Sequence, residues 1–562
     1  MKPSVLTPTR RSAIPILLEL DLTRGLSEAP ARTPVESLRA RHTPVLRSIV
    51  DALRKAAADD QVIGLVAHVG RRQPTLAQSA ELRAAVTDFR QTGKSTVCWS
   101  ESYGEMGPGN VVYHVASAFE QVWLQPSGDV GLTGVVAEAV FIRDALDKLG
   151  VSSQIGQRHE YKTAANMFLE SSMTEAHREM AARLVTSAMD TIVADVAASR
   201  GLDEDSVRAA VDRAPLTADE AVERGLVDRL GYRDEVYDDL RGRLGKVDLR
   251  FVERYGKGLA AFSGLTPRLV KPRKPVVAVI HASGPIHLGR SGGMAPVSGR
   301  SIGSDTLGAV LRAAGADRDV KAVVLRVDSP GGSYLASDAI RREVLRLRST
   351  GRPVVASMAS VAGSGGYYIA MPADIVVANA GTITGSIGVV AGKQVIREAL
   401  SRIGVERDSV ATGTYAEMFS TQRPFSDDEW QRMEGWLDRV YADFTAKAAQ
   451  DRGMPVAELH EVAKGRVWTG ADASKIGLVD EIGGLSRAVD VACSRARLHR
   501  SAVDVRVLPK WSLIDRLRPA DNSEHPAAAR SLGPMPLLPQ LLTMLGLSPA
   551  GVLMMPVQWR LS

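Results

Sequence analysis

Ser364 stands between glycines, in Gly363-Ser-Gly-Gly366, where an apolar run from Pro353 breaks off and an apolar-aromatic segment resumes until Pro372 stops it. The pattern predicts a strand, a tight turn and a helix, with Ser364 on the turn. The glycines let the backbone bend sharply, and the first N–H groups of the helix point where negative charge can be held. A serine so placed can act as a nucleophile, although Gly-Ser-Gly-Gly also serves as a plain connector. No Gly-Lys-Ser or Gly-Lys-Thr follows, which excludes a phosphate loop. Upstream, Ala322-Val-Val-Leu-Arg-Val-Asp328 reads as a buried strand that ends in Ser329-Pro-Gly-Gly-Ser333 and enters a helix with Leu335, Ile340, Val344 and Leu347 on one face. Adjacent parallel strands would bring the two turns together, setting Ser364 against free N–H groups of Gly331 and Gly332 as an oxyanion hole.

Four motifs, in order, are Asp328-Ser-Pro-Gly-Gly-Ser333, Gly363-Ser-Gly-Gly-Tyr-Tyr368, Thr384-Gly-Ser-Ile-Gly388 and Gly465-Arg-Val-Trp-Thr-Gly470. With them the chain resembles the signal peptide peptidase A (protease IV) family of serine proteases, in its long, duplicated form, from near Ile14 to near Arg495. The resemblance implies an α/β fold of two tandem ClpP/crotonase-like (ββα superhelix) domains. It further implies proteolysis of short hydrophobic peptides, cleaved signal peptides among them, and assembly into a ring or dome homotetramer.

The first half of the chain repeats the second. Val62-Ile-Gly-Leu-Val-Ala matches Val320-Lys-Ala-Val-Val-Leu, and Leu82, Val86 and Phe89 match Ile340, Val344 and Leu347 at the same offset. The halves differ where chemistry would sit. Opposite Pro330-Gly-Gly332 the first half has Arg72-Gln-Pro74, and opposite Gly363-Ser-Gly-Gly366 it has Tyr103-Gly-Glu-Met-Gly-Pro-Gly-Asn110, without a serine. Conversely, Lys162 in Glu160-Tyr-Lys-Thr163 falls opposite Ala416. A lone lysine on a polar segment is ordinarily a solvated surface residue, but this reciprocal loss leaves each half with one member of a Ser-Lys dyad. Lys162 is then expected to reach Ser364 across the interface between the halves. In the family, the general base is a lysine in the same Tyr-Lys context.

A serine hydroxyl attacks an amide only if a base takes its proton, and the motif holds no histidine. Lys162 can serve if burial between the halves lowers its pKa from about 10.4 by roughly 2 to 3 units. Ser386 matches the family position whose hydroxyl holds the lysine amine; it reads equally as a turn residue. The oxyanion would meet the main-chain N–H groups of Gly331 and Gly365. Small residues at Ala359, Val361 and Ala362 suggest an apolar groove for an extended peptide added beside a strand.

The chain has 562 residues, too many for one ordinary core, and its composition is that of a globular protein: 45% hydrophobic, 24% charged, net charge +6. The expected layout is an N-terminal half (1–245) carrying Lys162, a charged linker (246–275), a C-terminal half (276–500) carrying Ser364, and a proline-rich apolar tail (501–562). Basic runs with interleaved aromatics are absent, which argues against nucleic-acid binding. The ten histidines show no metal-ligand spacing, and the chemistry asks for no cofactor. Cys98 and Cys493 sit in apolar surroundings and read as buried thiols. At the N-terminus, Glu19 and Asp21 interrupt the apolar run after Arg10-Arg11 too early for a membrane span, so it is expected to be the first strand. Arg290 to Gly299 reads as a mobile loop. Ser531 to Trp559 carries no charge but five prolines, which suits a surface-lying membrane contact around Leu537 to Leu547 or packing on a neighbouring subunit. The expected location is the cytoplasmic membrane, peripherally, or else the cytoplasm. Two rival functions stand beside proteolysis: a crotonase-type acyl-CoA hydratase or isomerase, which would use a carboxylate base, and a catalytically silent scaffold.

Overall fold

The computed structural model describes residues 14–30, 43–70, 72–255, 274–291, 300–509 and the strand Leu553–Met554. The chain forms two compact units, Met1–Gly134 with Asp190–Val270, and Val135–Met189 with Lys271–Leu561. These units cut the chain differently from the sequence repeat. The stretch 135–189, which contains Lys162, belongs to the first half by repeat and to the second unit by packing.

The first unit is built on a parallel sheet of six strands, in the order Arg229–Leu230, Gln121–Leu124, Ser95–Ser100, Val62–His68, Ile16–Asp21 and Asp248–Phe251. The apolar run after Ile14 thus forms the first strand, as expected. Asp248–Phe251, assigned by sequence to the linker, is an edge strand; residues 256–273 of that linker lie outside the described residues. One face of the sheet buries Leu17, Val66, Val97, Trp99 and Trp123 against Val236 and Leu240. Helix Leu76–Arg90 starts on a capping box, in which the Thr75 hydroxyl accepts the Gln78 N–H and the Gln78 side chain accepts the Thr75 N–H.

The second unit repeats the same series at greater length. Val320–Ser329, Tyr334–Arg348, Val354–Gly363, Gly365–Ala370 and Ile375–Ala378 alternate strand and helix as Val62–His68, Leu76–Arg90, Ser95–Ser100, Asn110–Ala116 and Gln121–Leu124 do. Its main sheet runs Val467–Thr469, Ile383–Gly385, Val354–Gly363, Val320–Ser329, Val276–Ser283, Asp504–Leu508, so the fold continues past residue 500. Every residue of Val276–Ser283 is buried, as expected for a strand covered on both faces. Val323, Leu325 and Val327 pack with Ile340, Val344 and Leu347 in one core cluster.

Strand Val354–Gly363 is forked. Val355–Met358 pair with Ile375–Ala378, whereas Val361–Gly363 pair with Ile383–Gly385. On the opposite edge Ala362 pairs with Ser329, so the end of the strand is held from both sides just before the turn at Ser364. Within the same unit, Ser152–Arg158 pairs antiparallel with Val389–Val395, from Val389 opposite Arg158 to Val395 opposite Ser152. This ribbon leads directly into Lys162.

Cys98 and Cys493 are buried free thiols. Residues 292–299 of the expected loop, and the tail from residue 510 onward apart from Leu553–Met554, lie outside the described residues. Among the described residues no helix is long and apolar enough to cross a membrane.

Leu325 is fully buried in this core, whereas Leu335, on the adjoining helix, is 61% exposed. Leu325→Ala is expected to destabilise the protein by about 2–5 kcal/mol, and Leu335→Ala by less than about 0.5 kcal/mol. Urea unfolding of the two variants beside the wild type checks this.

Candidate active site

Ser364 caps the short helix Gly365–Ala370 with φ 54° and ψ −114°, a backbone conformation that a non-glycine residue adopts only under strain. Neighbouring main chain holds it there. The Ser364 N–H donates to the Gly385 carbonyl at 2.8 Å, and the Ser364 carbonyl accepts the Tyr368 N–H at 2.9 Å. The glycines that follow are required by space. A Cβ on Gly365 would lie 2.7 Å from Ser337 Oγ and 3.1 Å from both Gly331 Cα and Gly332 N, and one on Gly366 would lie 2.5 Å from the Ser329 carbonyl oxygen. The Ser-Pro-Gly-Gly turn therefore abuts the start of the helix, as adjacent parallel strands demand. Gly365 opens that helix, where an N–H has no acceptor within the helix. Gly331, at φ 106°, donates its N–H to Ser329 Oγ at 3.2 Å.

Lys162 is fully buried. Its Nζ lies 2.9 Å from Ser364 Oγ, 3.0 Å from Ser386 Oγ and 3.1 Å from the Ser386 carbonyl oxygen. Burial alone, with no carboxylate contributing, pushes its pKa down to about 7. A neutral amine has two N–H donors and one lone pair, and three neighbours fit it. Donation to the Ser386 hydroxyl and carbonyl leaves the lone pair facing the Ser364 hydroxyl.

The main chain of Lys162 is clasped by glycines. A Cβ on Gly465 would fall 2.5 Å from Lys162 N and Cβ, and one on Gly388 would fall 3.1 Å from Lys162 Cδ and 2.6 Å from the Arg158 carbonyl oxygen. Tyr161 N–H donates to the Lys464 carbonyl, Gly465 N–H to that of Ile387, and Ser386 N–H to that of Arg466. The fourth motif, Gly465 to Gly470, thus ties the lysine segment to the Ser386 turn. Ser386 itself is at φ 52°, and Thr384 beside it donates to the Ala362 carbonyl at 2.8 Å.

Lys162 is therefore in direct contact with both Ser364 and Ser386, with Gly331 and Gly365 beside one another at the turn. The suggested groove is corrected. Ala359 and Ala362 are fully buried because the strand is covered on both faces, and of the three only Val361 reaches the surface. One buried charge, Arg326, and one half-buried charge, Asp328, escaped the sequence reading. The Arg326 guanidinium donates to Ser357 Oγ at 2.9 Å, and the Asp328 carboxylate accepts the Val361 N–H at 3.2 Å, its pKa raised chiefly by burial. Their signal was present as charged residues inside an apolar strand run.

Among its described residues the first unit shows no such site. In place of the nucleophile turn, Asn110 bonds Gly134 through both ends of its amide. Ala416, opposite Lys162 in the repeat, lies in an exposed turn. A Ser79–His114–Asp195 chain does occur there, with Ser79 Oγ 2.7 Å from His114 Nδ1 and His114 Nε2 2.8 Å from Asp195. Ser79 is fully buried on a helix whose N–H groups are engaged, so this chain braces helices and offers no nucleophile. Among the described residues no cluster of three or more His, Cys, Asp or Glu could hold a metal ion.

A sequence model of peptidase family S49 matches residues 88–247 and again 346–499, so the family domain occurs twice, as the repeat requires. The chloroplastic serine protease SPPA of Arabidopsis thaliana is 30% identical over 98% of this chain and 74% of its own length. Protease 4 of Salmonella typhi is 32% identical over 88% of this chain and 79% of its own, and Protease 4 of Haemophilus influenzae 30% over 82% and 74%. By the family match and by relatives that cover most of its length, the chain belongs to peptidase family S49 and is a serine protease.

Proposed function

We propose that the protein is an endopeptidase working through a Ser364–Lys162 dyad on short hydrophobic peptides, such as cleaved signal peptides. The observation that carries the dyad is the 2.9 Å contact between a fully buried amine and the Ser364 hydroxyl. In the first step Ser364 Oγ bonds to the scissile carbonyl carbon while its proton passes to Lys162 Nζ. The main-chain N–H of Gly365, joined by that of Gly331 as it exchanges Ser329 Oγ for the substrate oxygen, stabilises the oxyanion. The C–N bond then breaks, the ammonium returns its proton to the leaving amine, and an acyl ester remains on Ser364. Water attacks that ester as Lys162 takes its proton, the acid leaves, and the proton goes back to Ser364. Ser386 keeps the amine in line throughout.

The hydrophobic substrate class rests on the resemblance to the signal peptide peptidase A family, as does a homotetramer. The apolar tail supports a peripheral membrane contact. A hydratase of the crotonase kind would need a carboxylate base, and the group that meets the candidate turn is an amine.

A fluorophosphonate probe is expected to form an adduct on Ser364 in the wild type and none in Lys162→Ala, whose kcat should fall by about 10²–10⁴-fold. Ser386→Ala leaves the amine one of its two acceptors and should cost only about tenfold. Mass spectrometry of the adduct and steady-state kinetics read both; an adduct in Lys162→Ala at the wild-type rate would end the dyad reading.

Burial also links this amine to stability. Its folded pKa, about 7, lies below the unfolded value of about 10.4, so the unfolded chain binds more protons between those limits. The contribution of Lys162 to stability is least favourable at and below pH 7 and improves as pH rises toward 10. Relative to Lys162→Met, the wild type should therefore gain stability across that window in thermal unfolding, and a difference that does not change with pH would contradict the assignment.

A further inference from the structure

The oxyanion turn of the candidate site is paired with a segment of this same chain. Gly331–Gly332 forms a short strand whose one edge pairs parallel with Ile286 and whose other edge pairs antiparallel with Leu553–Met554, Gly331 opposite Met554 and Gly332 opposite Leu553. With Ile302–Gly303 these make a four-stranded sheet. Leu553–Met554 also runs alongside Val389–Val395, the strand that leads from the Ser386 turn.

That edge is where an extended substrate would be expected. Gly331 lies against Gly365, the residue after the nucleophile, so a peptide running antiparallel along Gly331–Gly332 passes beside Ser364. Strand addition reads main chain and leaves selectivity to the surroundings, so it accepts any extended segment of fitting character. The C-terminal segment has that character. From Ser531 to Trp559 it contains no charged residue, like the hydrophobic peptides of the proposed function.

We propose that the segment around Leu553–Met554 is a tethered, substrate-like occupant of the peptide-binding edge, which competes with incoming peptides and holds the enzyme in a restrained state. The proposal rests on the reading of the site as a peptide hydrolase. Tethering makes the competition intramolecular. An effective concentration on the order of 1 mM against an intrinsic Kd of roughly 0.1 mM would reduce turnover of dilute substrate about tenfold.

The test compares the full chain, a form ending at Ser548, and the full-length double variant Leu553→Pro with Met554→Pro, which removes the N–H that faces Gly331–Gly332 whichever of the two residues carries it. Hydrolysis of a fluorogenic apolar peptide and the rate of fluorophosphonate adduct formation on Ser364 are measured for each. Both altered forms should show kcat/KM and adduct rates raised about tenfold, and a synthetic peptide of residues 549–562 should inhibit them competitively. Equal rates in all three forms, with Ser364 labelled normally and no inhibition by the peptide, would overturn the proposal while leaving the protease reading intact. Absence of any Ser364 adduct in folded protein of all three forms would remove that reading and this proposal with it.

Discussion

The structure depends on the removal of one amine from water. Lys162 is surrounded by hydroxyl, carbonyl and glycine main chain, and no carboxylate offsets its desolvation. An ion pair in this place would keep the amine charged and useless as a base. Desolvation without a counter-charge, together with three neighbours that suit a neutral amine, favours the protonation state that the proposed attack by Ser364 requires.

Much of the surrounding fold serves that constraint. Pairing of Val361–Gly363 with Ile383–Gly385 on one edge and of Ala362 with Ser329 on the other holds the end of the strand before Ser364, and the ribbon of Ser152–Arg158 with Val389–Val395 leads to Lys162. Gly388 and Gly465 allow main chain to close on Lys162 at distances a Cβ would forbid. Positive φ at both Ser364 and Ser386 places the two serines in strained turns, a local cost that the paired strands around them absorb. The first unit keeps the same succession of strands and helices without these features, so the scaffold alone does not confer the chemistry.

The fold was legible because its signals are periodic and repeated. Apolar strand runs at Val62 and Val320, helix faces at Leu82 and Ile340, and turns at Gly363 and Gly331 appear in the sequence at the places where the elements form. Lys162 could be singled out only through comparison of the halves, since nothing in Glu160-Tyr-Lys-Thr163 by itself distinguishes a buried base from a surface cation. The assignment of residues 135–189 to the second unit was not readable, because which unit a segment packs against is decided by long-range pairing such as that of Ser152–Arg158 with Val389–Val395. The groove residues were misplaced for a related reason. Small apolar side chains on a strand suit a surface cleft and a covered sheet equally, and here Ala359 and Ala362 are covered. The pairing of Leu553–Met554 with Gly331–Gly332 likewise leaves no local trace in a stretch punctuated by prolines.

The most direct measurement is the titration of the Lys162 ε-amine itself, followed by NMR in protein carrying ¹³C-labelled lysine, with Lys162→Met identifying the resonance. Burial without a counter-charge predicts a midpoint of about 7. A midpoint near the ordinary lysine value of about 10.4 would contradict it, because the amine would then be a solvated cation at neutral pH and could not take the Ser364 proton.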